Sequence, residues 1–208
     1  QYSVIILDNL STGFVENVNK KATFIKADVT DFDSIEKYFS GIDVVFHFAA
    51  LPRVQPSIDD PLPYNKANIE GTLSILNACK KHGVKNVIFS SSSSIYGNCE
   101  DEIITEEAAK EPLSPYALQK LASEEYFKLY YKLFGINSVC LRYFNVYGNR
   151  QPTVGAYVPV VGIFMQQLKD GKQLTITGDG SQARDFINVI DVAKANFVAA
   201  EANLKGYN

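Results

Sequence analysis

The sequence contains a short apolar run that leads directly into a series of hydroxyl side chains, Val87-Ile88-Phe89-Ser90-Ser91-Ser92-Ser93-Ser94-Ile95-Tyr96-Gly97. The apolar half has the β-branched and aromatic composition of a buried strand. In a parallel α/β sheet the carboxyl ends of the strands face the ligand. This stretch therefore predicts a strand of such a sheet and, in the hydroxyls that follow it, one wall of a binding site.

The first two thirds of the sequence alternate between strand and helix patterns. Apolar runs predict strands at residues 4–7, 22–26, 44–48, 87–91 and 138–143. Apolar residues spaced three and four apart predict helices at residues 31–39, 68–82 and 114–134. Strands and helices that alternate in this order are typical of right-handed crossovers, so we expect a doubly wound parallel α/β fold.

The composition changes after residue 148, where a loop rich in Gly, Asn and Pro precedes a predicted helix near 159–168 and a predicted strand at 173–176. We therefore expect a main domain at residues 1–148 and part of a smaller domain at residues 149–208. Residues 184–203 are expected to return to the main domain.

Length, composition and charge limit the possible classes of protein. A chain of 208 residues, 46% hydrophobic and 21% charged, has the composition of one soluble globular unit. The net charge of −3 and the absence of basic runs argue against a nucleic-acid partner. The isolated cysteines Cys79, Cys99 and Cys140 lack metal-site spacing. With no apolar run of membrane-spanning length and no signal-like start, we expect a cytoplasmic protein without a metal or a membrane partner.

A phenol and an ammonium lie four residues apart at the start of the predicted helix 114–134. Ser114 and Pro115 suit a helix start, and Tyr116 and Lys120 then lie on one face, about 6 Å apart at Cβ. Because a nearby cation favours phenolate, Lys120 is expected to lower the pKa of Tyr116 and make it a general base. The alternative is an ordinary helix face, since both residues are common on helices.

Carboxylates follow the first two predicted strands. Asp8, before Asn9, stands where a dinucleotide-binding fold holds the adenosine ribose, which favours NAD over NADP. Asp28-Val29 stands where an aspartate can meet the adenine. The alternative for both aspartates is an ordinary turn residue.

Two further segments are candidates for the site. His47-Phe48-Ala49-Ala50 ends the third strand, and its small residues would let a ligand approach the backbone; we interpret His47 as a satisfied, partly buried histidine rather than a catalyst. Arg150 and Arg184 are candidate phosphate ligands, with solvated surface charge as the alternative.

These motifs together resemble the extended short-chain dehydrogenase/reductase family. They are Asp8-Asn9-Leu10, Phe48-Ala49-Ala50, Asn68-x-x-Gly71-Thr72, residues 90–97, Tyr116-x-x-x-Lys120, Leu141-Arg142-Tyr143-Phe144-Asn145 and Arg184-Asp185-Phe186. The pattern is most similar to NAD-dependent nucleotide-sugar 4-epimerases. The stretch from Asn149 to Tyr157 resembles the branch that includes UDP-N-acetylglucosamine 4-epimerases.

The resemblance implies a role for each matching residue. Ser92, Tyr116 and Lys120 match the catalytic positions. Residues implied to bind NAD are Asp8, Asn9, Asp28, Val29, Phe48, Ala49, Ala50, Asn68, Ser90, Ser91, Tyr116, Lys120 and Tyr143. Residues implied to bind the substrate, a UDP-linked sugar, are Ser92, Ser93, Tyr116, Asn145 and Arg184. The family also implies a homodimer, formed through the helices at 68–82 and 114–134.

Two departures from the family pattern qualify this expectation. The family opens with a strand and a Gly-x-x-Gly-x-x-Gly loop before the first strand seen here, so the chain is interpreted as a fragment that alone binds NAD poorly. Dehydratases of the family have an acidic residue after the catalytic hydroxyl, whereas Ser92 is followed by Ser93 and Ser94. We therefore expect C4 epimerisation through a 4-keto sugar. A nucleotide-sugar oxidoreductase, reductase or dehydratase, and a non-catalytic NAD-sensing regulator, remain alternatives.

Overall fold

A computed structural model describes residues 2–99, 103–151, 158–202 and 204–208. Within these residues, the strands are Ile5–Asp8 (β1), Thr23–Lys26 (β2), Val44–His47 (β3), Asn86–Ser92 (β4), Asn137–Tyr143 (β5), Asn145–Tyr147 (β6) and Phe186–Asn188 (β7). The α-helices are Phe32–Ile35 (α1), Val54–Asp59 (α2), Pro61–Asn65 (α3), Gly71–His82 (α4), Pro115–Phe134 (α5), Val160–Lys169 (α6) and Val189–Glu201 (α7).

Every pair of neighbouring strands is parallel. Hydrogen bonds join β1 to β2, β3 to β4 and β5 in that order, and β6 to β7. In the three-stranded group β4 is central, with Val87 beside Val45 on one side and Ser138 on the other. The predicted doubly wound, parallel α/β architecture of Rossmann-like type is confirmed, with its strands divided into three hydrogen-bonded groups.

The core lies where α1, α4 and α5 pack against the strands. Ile35, Leu76, Phe89 and Phe127 are almost completely buried in one cluster. The rings of Phe89 on β4 and Phe127 on α5 lie 4.8 Å apart between centroids. Burial of these large apolar side chains is the main source of stability, and it fixes α5 across the end of β4.

Two of the predicted helices change type along their length. The helix predicted at 31–39 is α1 followed by a 3-10 turn, Glu36–Phe39, and the helix predicted at 68–82 is a π-helical turn, Lys66–Glu70, followed by α4. Such π turns widen a helix locally and often accompany functional sites. Here the turn carries Asn68, which is buried.

The prediction of a strand at residues 173–176 is wrong. Leu174 and Ile176 are 43% and 69% exposed, and neither belongs to a strand. An apolar alternation predicts a strand only where another strand is available to pair with it. The described strands in this part of the chain are β6 and β7, which are only three residues long.

The last described residues return to the three-stranded group. Gly206 and Asn208 exchange backbone hydrogen bonds with Ser138 and Cys140 of β5. Residues of α7, Ala199 and Ala200, lie beside Asn86 and Val87 of β4. The domain division at residue 148 stays a prediction. In the part of the chain that the structure describes, no helix has the length and apolarity needed to cross a membrane.

Candidate active site

The start of α5 is held at several points. Ser114 caps the helix, because its Oγ accepts a 3.1 Å hydrogen bond from the backbone N–H of Ala117. Pro115 occupies the first turn, and the backbone N–H of Tyr116 donates to Oγ of the buried Ser57 on α2 at 3.1 Å. The predicted helix start is thus confirmed, and Tyr116 projects from a fixed backbone.

The Ser92 hydroxyl at the end of β4 lies close enough to the Tyr116 phenol to act as a hydrogen-bond donor toward it and favour the phenolate. Ser92 Oγ in turn accepts hydrogen bonds from the backbone N–H of Ser94 at 3.2 Å and from its hydroxyl at 2.9 Å. With Ser94 donating to Ser92, the Ser92 hydroxyl hydrogen is available to Tyr116. The structure therefore brings together two of the predicted catalytic residues in a relay of hydroxyl groups.

The expected lowering of the Tyr116 pKa by Lys120 is not what the structure shows. The pKa of Tyr116 is raised, because burial of the phenol penalises the phenolate more than the hydrogen bond from Ser92 favours it. Lys120 Nζ lies 5.9 Å from the centre of the Tyr116 ring. The ammonium is directed instead toward the backbone of β4, so it does not offset the burial.

Lys120 is buried, with 3% of its surface exposed. Its Nζ donates a 2.7 Å hydrogen bond to the carbonyl oxygen of Ser90 and lies 4.7 Å from the centre of the Phe89 ring. Burial lowers the pKa of Lys120 to about 8, against the opposing influence of Cys140 and Glu124. At neutral pH the side chain is therefore an ammonium, but one that deprotonates within a few units of neutrality.

The three serines that end β4 have different roles. Ser90 offers its carbonyl oxygen to Lys120, and Ser92 contacts Tyr116. Between them, the buried Ser91 donates its hydroxyl hydrogen to Glu124 Oε1 at 2.5 Å. Ser93 begins the 3-10 turn Ser93–Tyr96 that follows. The Ser91 side chain thus forms its hydrogen bond inside the protein. Its implied contact with the cofactor stays a prediction.

A glycine closes this turn for steric reasons. Gly97 has φ of 63°, and a Cβ atom built on it would lie 2.1 Å from the carbonyl oxygen of Glu111. Only glycine fits such a close approach to backbone in the left-handed region. The path of the chain beyond Ser92 is therefore fixed by Gly97.

The carboxylates predicted to follow the first two strands lie side by side. Asn9 Nδ2 donates to Asp28 Oδ2 at 2.9 Å, and Asp8 Oδ1 accepts from the backbone N–H of Leu10 at 2.6 Å. The hydrogen bond from the Thr30 backbone is the largest of the influences that lower the pKa of Asp28. Both aspartates accept hydrogen bonds within turns, and their predicted contacts with the adenosine ribose and the adenine stay predictions.

Val29 packs against the start of α4. A Cβ atom on Gly71 would lie 2.9 Å from Val29 Cγ2, so the glycine of the Asn68-x-x-Gly71 pattern allows α4 to approach β2 closely. The close contact between Gly71 and Val29 indicates a role for both residues in packing. The predicted contact of Val29 with the adenine stays a prediction.

Asn68 holds the segment that follows β3. Its Oδ1 accepts from the backbone N–H of Leu51 at 2.8 Å, and its Nδ2 donates to the Leu51 carbonyl at 3.2 Å and to Gln119 Oε1 on α5 at 2.9 Å. Both amide hydrogens are thus used within the protein. Asn68 fixes the backbone beside Ala49 and Ala50, and its own contact with a cofactor stays a prediction.

His47 is buried more deeply than expected. Thr72 donates its hydroxyl hydrogen to the Asn68 carbonyl, so its oxygen accepts from Nε2 of His47 at 2.9 Å. Nδ1 has no partner among the described residues. Burial lowers the pKa of His47 to about 3, so the ring is neutral. The interpretation as a non-catalytic histidine is compatible with this placement, whereas the expected partial exposure is wrong. The neighbouring Phe48 is half-exposed beside the ring of Phe46.

Two of the predicted substrate residues lie at the β6–β7 pair, Asn145 on β6 and Arg184 two residues before β7. Asn145 donates from its backbone N–H and from Nδ2 to the Asp185 carbonyl, at 3.2 and 2.8 Å. Arg184 is exposed beside this residue, and its Nη1 donates to the Ala183 carbonyl at 2.6 Å. Tyr143, at the end of β5, accepts a hydrogen bond from Asn196 Nδ2 at 2.5 Å. The structure therefore brings Asn145 and Arg184 together.

The other candidate arginine, Arg150, lies in the segment that follows β6. Arg150 is exposed and has φ of 69°, and its Nη1 donates to the Asn17 carbonyl at 3.3 Å. The remainder of the stretch that resembles UDP-N-acetylglucosamine 4-epimerases, residues 152–157, lies outside the described residues. Among the residues that are described, no cluster of His, Cys, Asp and Glu is placed to hold a metal ion.

Sequence reasoning missed a buried ion pair beside the site. Glu124, 1% exposed, accepts hydrogen bonds from Arg142 Nε and Nη2 at 3.0 and 2.8 Å. Arg142 Nη1 donates to Tyr96 Oη and the Glu106 carbonyl, and its pKa is raised chiefly by the bond to Glu124. The sequence did contain a signal for this ion pair, because Arg142 lies inside an apolar strand and a buried arginine requires a partner.

Fold and site together define a class of protein. It is a Rossmann-like α/β protein in which a serine, a tyrosine and a lysine meet at the carboxyl end of a central parallel strand. The model of the NAD dependent epimerase/dehydratase family matches residues 1–208. The chain belongs to this family, and the predicted cofactor, NAD, is confirmed at the level of the family.

Known proteins agree with this assignment. A putative UDP-glucose 4-epimerase of Methanocaldococcus jannaschii is 44% identical over 95% of this chain and 65% of its own length. The UDP-N-acetylglucosamine 4-epimerase of Methanobrevibacter ruminantium, solved with UDP-N-acetylmuramic acid, has a TM-score of 0.94 and 43% identity over 98% of this chain and 67% of its own. The Thermus thermophilus UDP-glucose 4-epimerase, solved with NAD, has a TM-score of 0.88 and 37% identity. The match covers 98% of this chain and 68% of that one. The chain thus spans about two thirds of the length of these relatives.

Proposed function

We propose that the natural protein carrying this sequence epimerises C4 of a UDP-hexose or UDP-N-acetylhexosamine in the cytoplasm, through a 4-keto sugar and with tightly held NAD. The relatives named as UDP-glucose and UDP-N-acetylglucosamine 4-epimerases support the substrate class. The single observation that carries the proposal is the placement of Tyr116 beside Ser92 on fixed elements, with the buried ammonium of Lys120 held at the end of the same strand.

The described residues fit a dinucleotide. Lys120 places a buried ammonium at the carboxyl end of β4, where its remaining N–H groups suit ribose hydroxyls. The small residues Ala49 and Ala50 follow β3, and Asn68 fixes the adjacent backbone. Asp8, at the end of β1, offers a carboxylate to the adenosine ribose. We propose these residues as this chain's contribution to the NAD site.

In the proposed reaction, Tyr116 takes the proton of the C4 hydroxyl as a phenolate, the form that the positive charge of bound NAD would favour against the effect of burial. Ser92 turns its hydroxyl hydrogen toward the same oxygen and stabilises the charge that develops there. When bound, NAD would supply the acceptor for the C4 hydride and, in the reverse direction, its donor. Tyr116 then gives its proton back to the C4 oxygen. Because the keto sugar presents its other face before the return, the product is the C4 epimer, and no net oxidation occurs.

The residues after Ser92 favour epimerisation over dehydration. Ser93 and Ser94 carry hydroxyls, and Ser94 donates to Ser92 Oγ at 2.9 Å. A serine hydroxyl does not serve as a carboxylate acid or base at neutral pH. The proton transfer at C5 that dehydration requires therefore has no carboxylate at these two positions.

The β6–β7 pair supports the proposed recognition of the nucleotide. Asn145 and Arg184 lie near each other, and Arg184 is an exposed guanidinium suited to a diphosphate. We propose that these two residues bind the diphosphate of the substrate.

The proposal is tested by assaying the intact natural protein against a panel of UDP-hexoses and UDP-N-acetylhexosamines. Interconversion of a C4-epimeric pair without added NAD is expected, with NAD present in the purified protein. Net formation of NADH in proportion to product would instead indicate a nucleotide-sugar oxidoreductase. Binding of NAD without turnover of any sugar in the panel would favour a regulator.

A further inference from the structure

The buried pair of Glu124 and Arg142 connects α5 with β4 and β5. Glu124 receives two hydrogen bonds from Arg142 on β5 and one from Ser91 on β4. Tyr207 donates to Glu124 Oε2 as well, at 3.3 Å. A carboxylate taken out of water in this way is stabilised only by such a complete set of partners.

Glu124 lies one helical turn beyond Lys120 on the inner face of α5. Residues four apart on a helix are neighbours, and both side chains are buried. Their polar ends are anchored on consecutive residues of β4, Lys120 on the Ser90 carbonyl and Glu124 on the Ser91 hydroxyl. The ammonium and the carboxylate are therefore held over neighbouring residues of β4 in a region of low dielectric, and the carboxylate raises the pKa of Lys120.

The other ionisable groups around Lys120 are neutral at physiological pH. Tyr116 on the same helix and Cys140 on β5 both have a pKa raised by burial, and His47 on β3 has a pKa lowered to about 3. Arg142 carries a positive charge, but its guanidinium faces Glu124, Tyr96 and Glu106. Of the two groups that raise the pKa of Lys120, Cys140 and Glu124, the second is a carboxylate ion-paired with Arg142, whereas burial raises the pKa of the Cys140 thiol.

We infer that Glu124, held in place by Arg142, is a positioning residue that keeps Lys120 charged and directed at Ser90. Without the carboxylate, the buried ammonium would lose its counter-charge and deprotonate more easily. The effect of this pair on catalysis rests on the proposed function, but its effect on the charge of Lys120 does not.

A direct test measures the protonation of Lys120 by NMR in protein labelled with 13C at lysine Cε. The resonance is assigned by its loss in Lys120→Met. In Glu124→Gln the midpoint of the Lys120 titration is expected to fall by on the order of one pH unit. Glu125→Gln is the matched control, since Glu125 lies on the same helix but is exposed and pairs with Lys128 at 3.7 Å. An equal midpoint in Glu124→Gln and Glu125→Gln overturns the inference.

A second variant controls for misfolding of Glu124→Gln, in which Arg142 loses its carboxylate partner. Glu124→Gln combined with Arg142→Gln removes both charges while keeping hydrogen-bonding groups. The Lys120 midpoint is expected to fall in this double variant also. A midpoint restored to the wild-type value would assign the effect to Arg142 and contradict a role for the Glu124 charge.

The pH profile of the intact protein connects the inference to catalysis. The alkaline limb of kcat/KM is expected to move to lower pH in Glu124→Gln and to stay unchanged in Glu125→Gln. If the protein epimerises no sugar nucleotide, the proposed function fails while the NMR titration still decides the inference. A shifted NMR titration with an unmoved alkaline limb would contradict the catalytic part of it.

Discussion

The ammonium of Lys120 is bound at 2.7 Å to the carbonyl oxygen of Ser90, two residues before Ser92 on the same strand. One helix and one strand end therefore set the relative positions of the cation, the phenol and the hydroxyl. Because Lys120 is buried, solvent does not compete for the ammonium. The three groups are therefore held in place before any ligand binds. A site that stabilises charge developing at one oxygen requires such pre-organisation.

Removal of the Tyr116 hydroxyl should abolish most activity without disturbing the fold. We expect Tyr116→Phe and Ser92→Ala each to lower kcat of the intact protein by about a hundred- to ten-thousand-fold, the usual contribution of one acid–base group. Tyr131→Phe, on the same helix, is the control and should retain activity. Near-normal turnover in Tyr116→Phe would remove the proposed base.

The fate of hydrogen at the ring carbons separates the possible chemistries. A C4 hydride that leaves and returns within one site does not exchange with water. In heavy water, the intact protein should interconvert epimers with no deuterium at any ring carbon, and substrate labelled at C4 should keep its label. Product analysis by mass spectrometry and NMR checks this. Deuterium at C5 or C3 would indicate a dehydratase or an epimerase that acts next to a carbonyl.

The buried His47 should make the protein sensitive to acid. Its pKa is lowered in the folded state to about 3, whereas an unfolded histidine titrates near 6.5. The unfolded state therefore binds the additional proton between these values, and stability is lost as the pH falls through this window. The loss approaches about 1.4 kcal/mol per pH unit for one proton. Chemical denaturation from pH 7 to pH 4 should show a shallower dependence in His47→Gln, and parallel curves for the two proteins would contradict this.

Gly97→Ala should destabilise the protein more than an alanine at another glycine of similar backbone conformation. The new Cβ would meet the Glu111 carbonyl at 2.1 Å, in addition to the strain of a φ of 63°. We expect a loss of more than about 2 kcal/mol. Gly83→Ala is the control, because its φ is 75° and no other described residue has an atom within 4 Å of the new Cβ. Equal losses in free energy of unfolding would show that the close contact has no effect.

We predict that the intact protein is a homodimer formed through α4 and α5. On α5, Leu118, Leu129 and Leu133 are 57%, 44% and 60% exposed and lie on one stripe of the helix. An exposed apolar stripe of this kind is typical of an interaction surface. Light scattering at micromolar concentration should give twice the monomer mass, and Leu129→Arg should shift it toward the monomer. A monomeric wild-type protein would refute the prediction.

The sequence was most informative where burial imposes a pattern. Strands β1 to β5 were predicted within one or two residues, because each carries a short apolar run. Strands β6 and β7 were missed, since three residues carry no measurable period. Residues 173–176 have the composition of a strand, but no described strand pairs with them.

Within the site, sequence spacing placed Tyr116, Lys120 and Ser92 together but could not give their environment. The pKa of Tyr116 depends on burial, which follows from packing and not from a four-residue spacing. The role of Glu124 likewise depends on Arg142, which is distant in sequence and adjacent in the fold. Contacts of this kind lie beyond what local patterns can predict.

The pairing of β6 with β7 has a consequence for how such a protein can diversify. Asn145 lies on β6 and Arg184 two residues before β7, and among the described residues this two-stranded unit shares no ladder hydrogen bonds with β3, β4 and β5. Under the proposed function, mutations that reshape this unit can change which nucleotide or sugar is accepted while Ser92, Tyr116 and Lys120 keep their geometry. A lineage of such proteins can then drift from one substrate to another by small steps, each of which preserves the inherited chemistry.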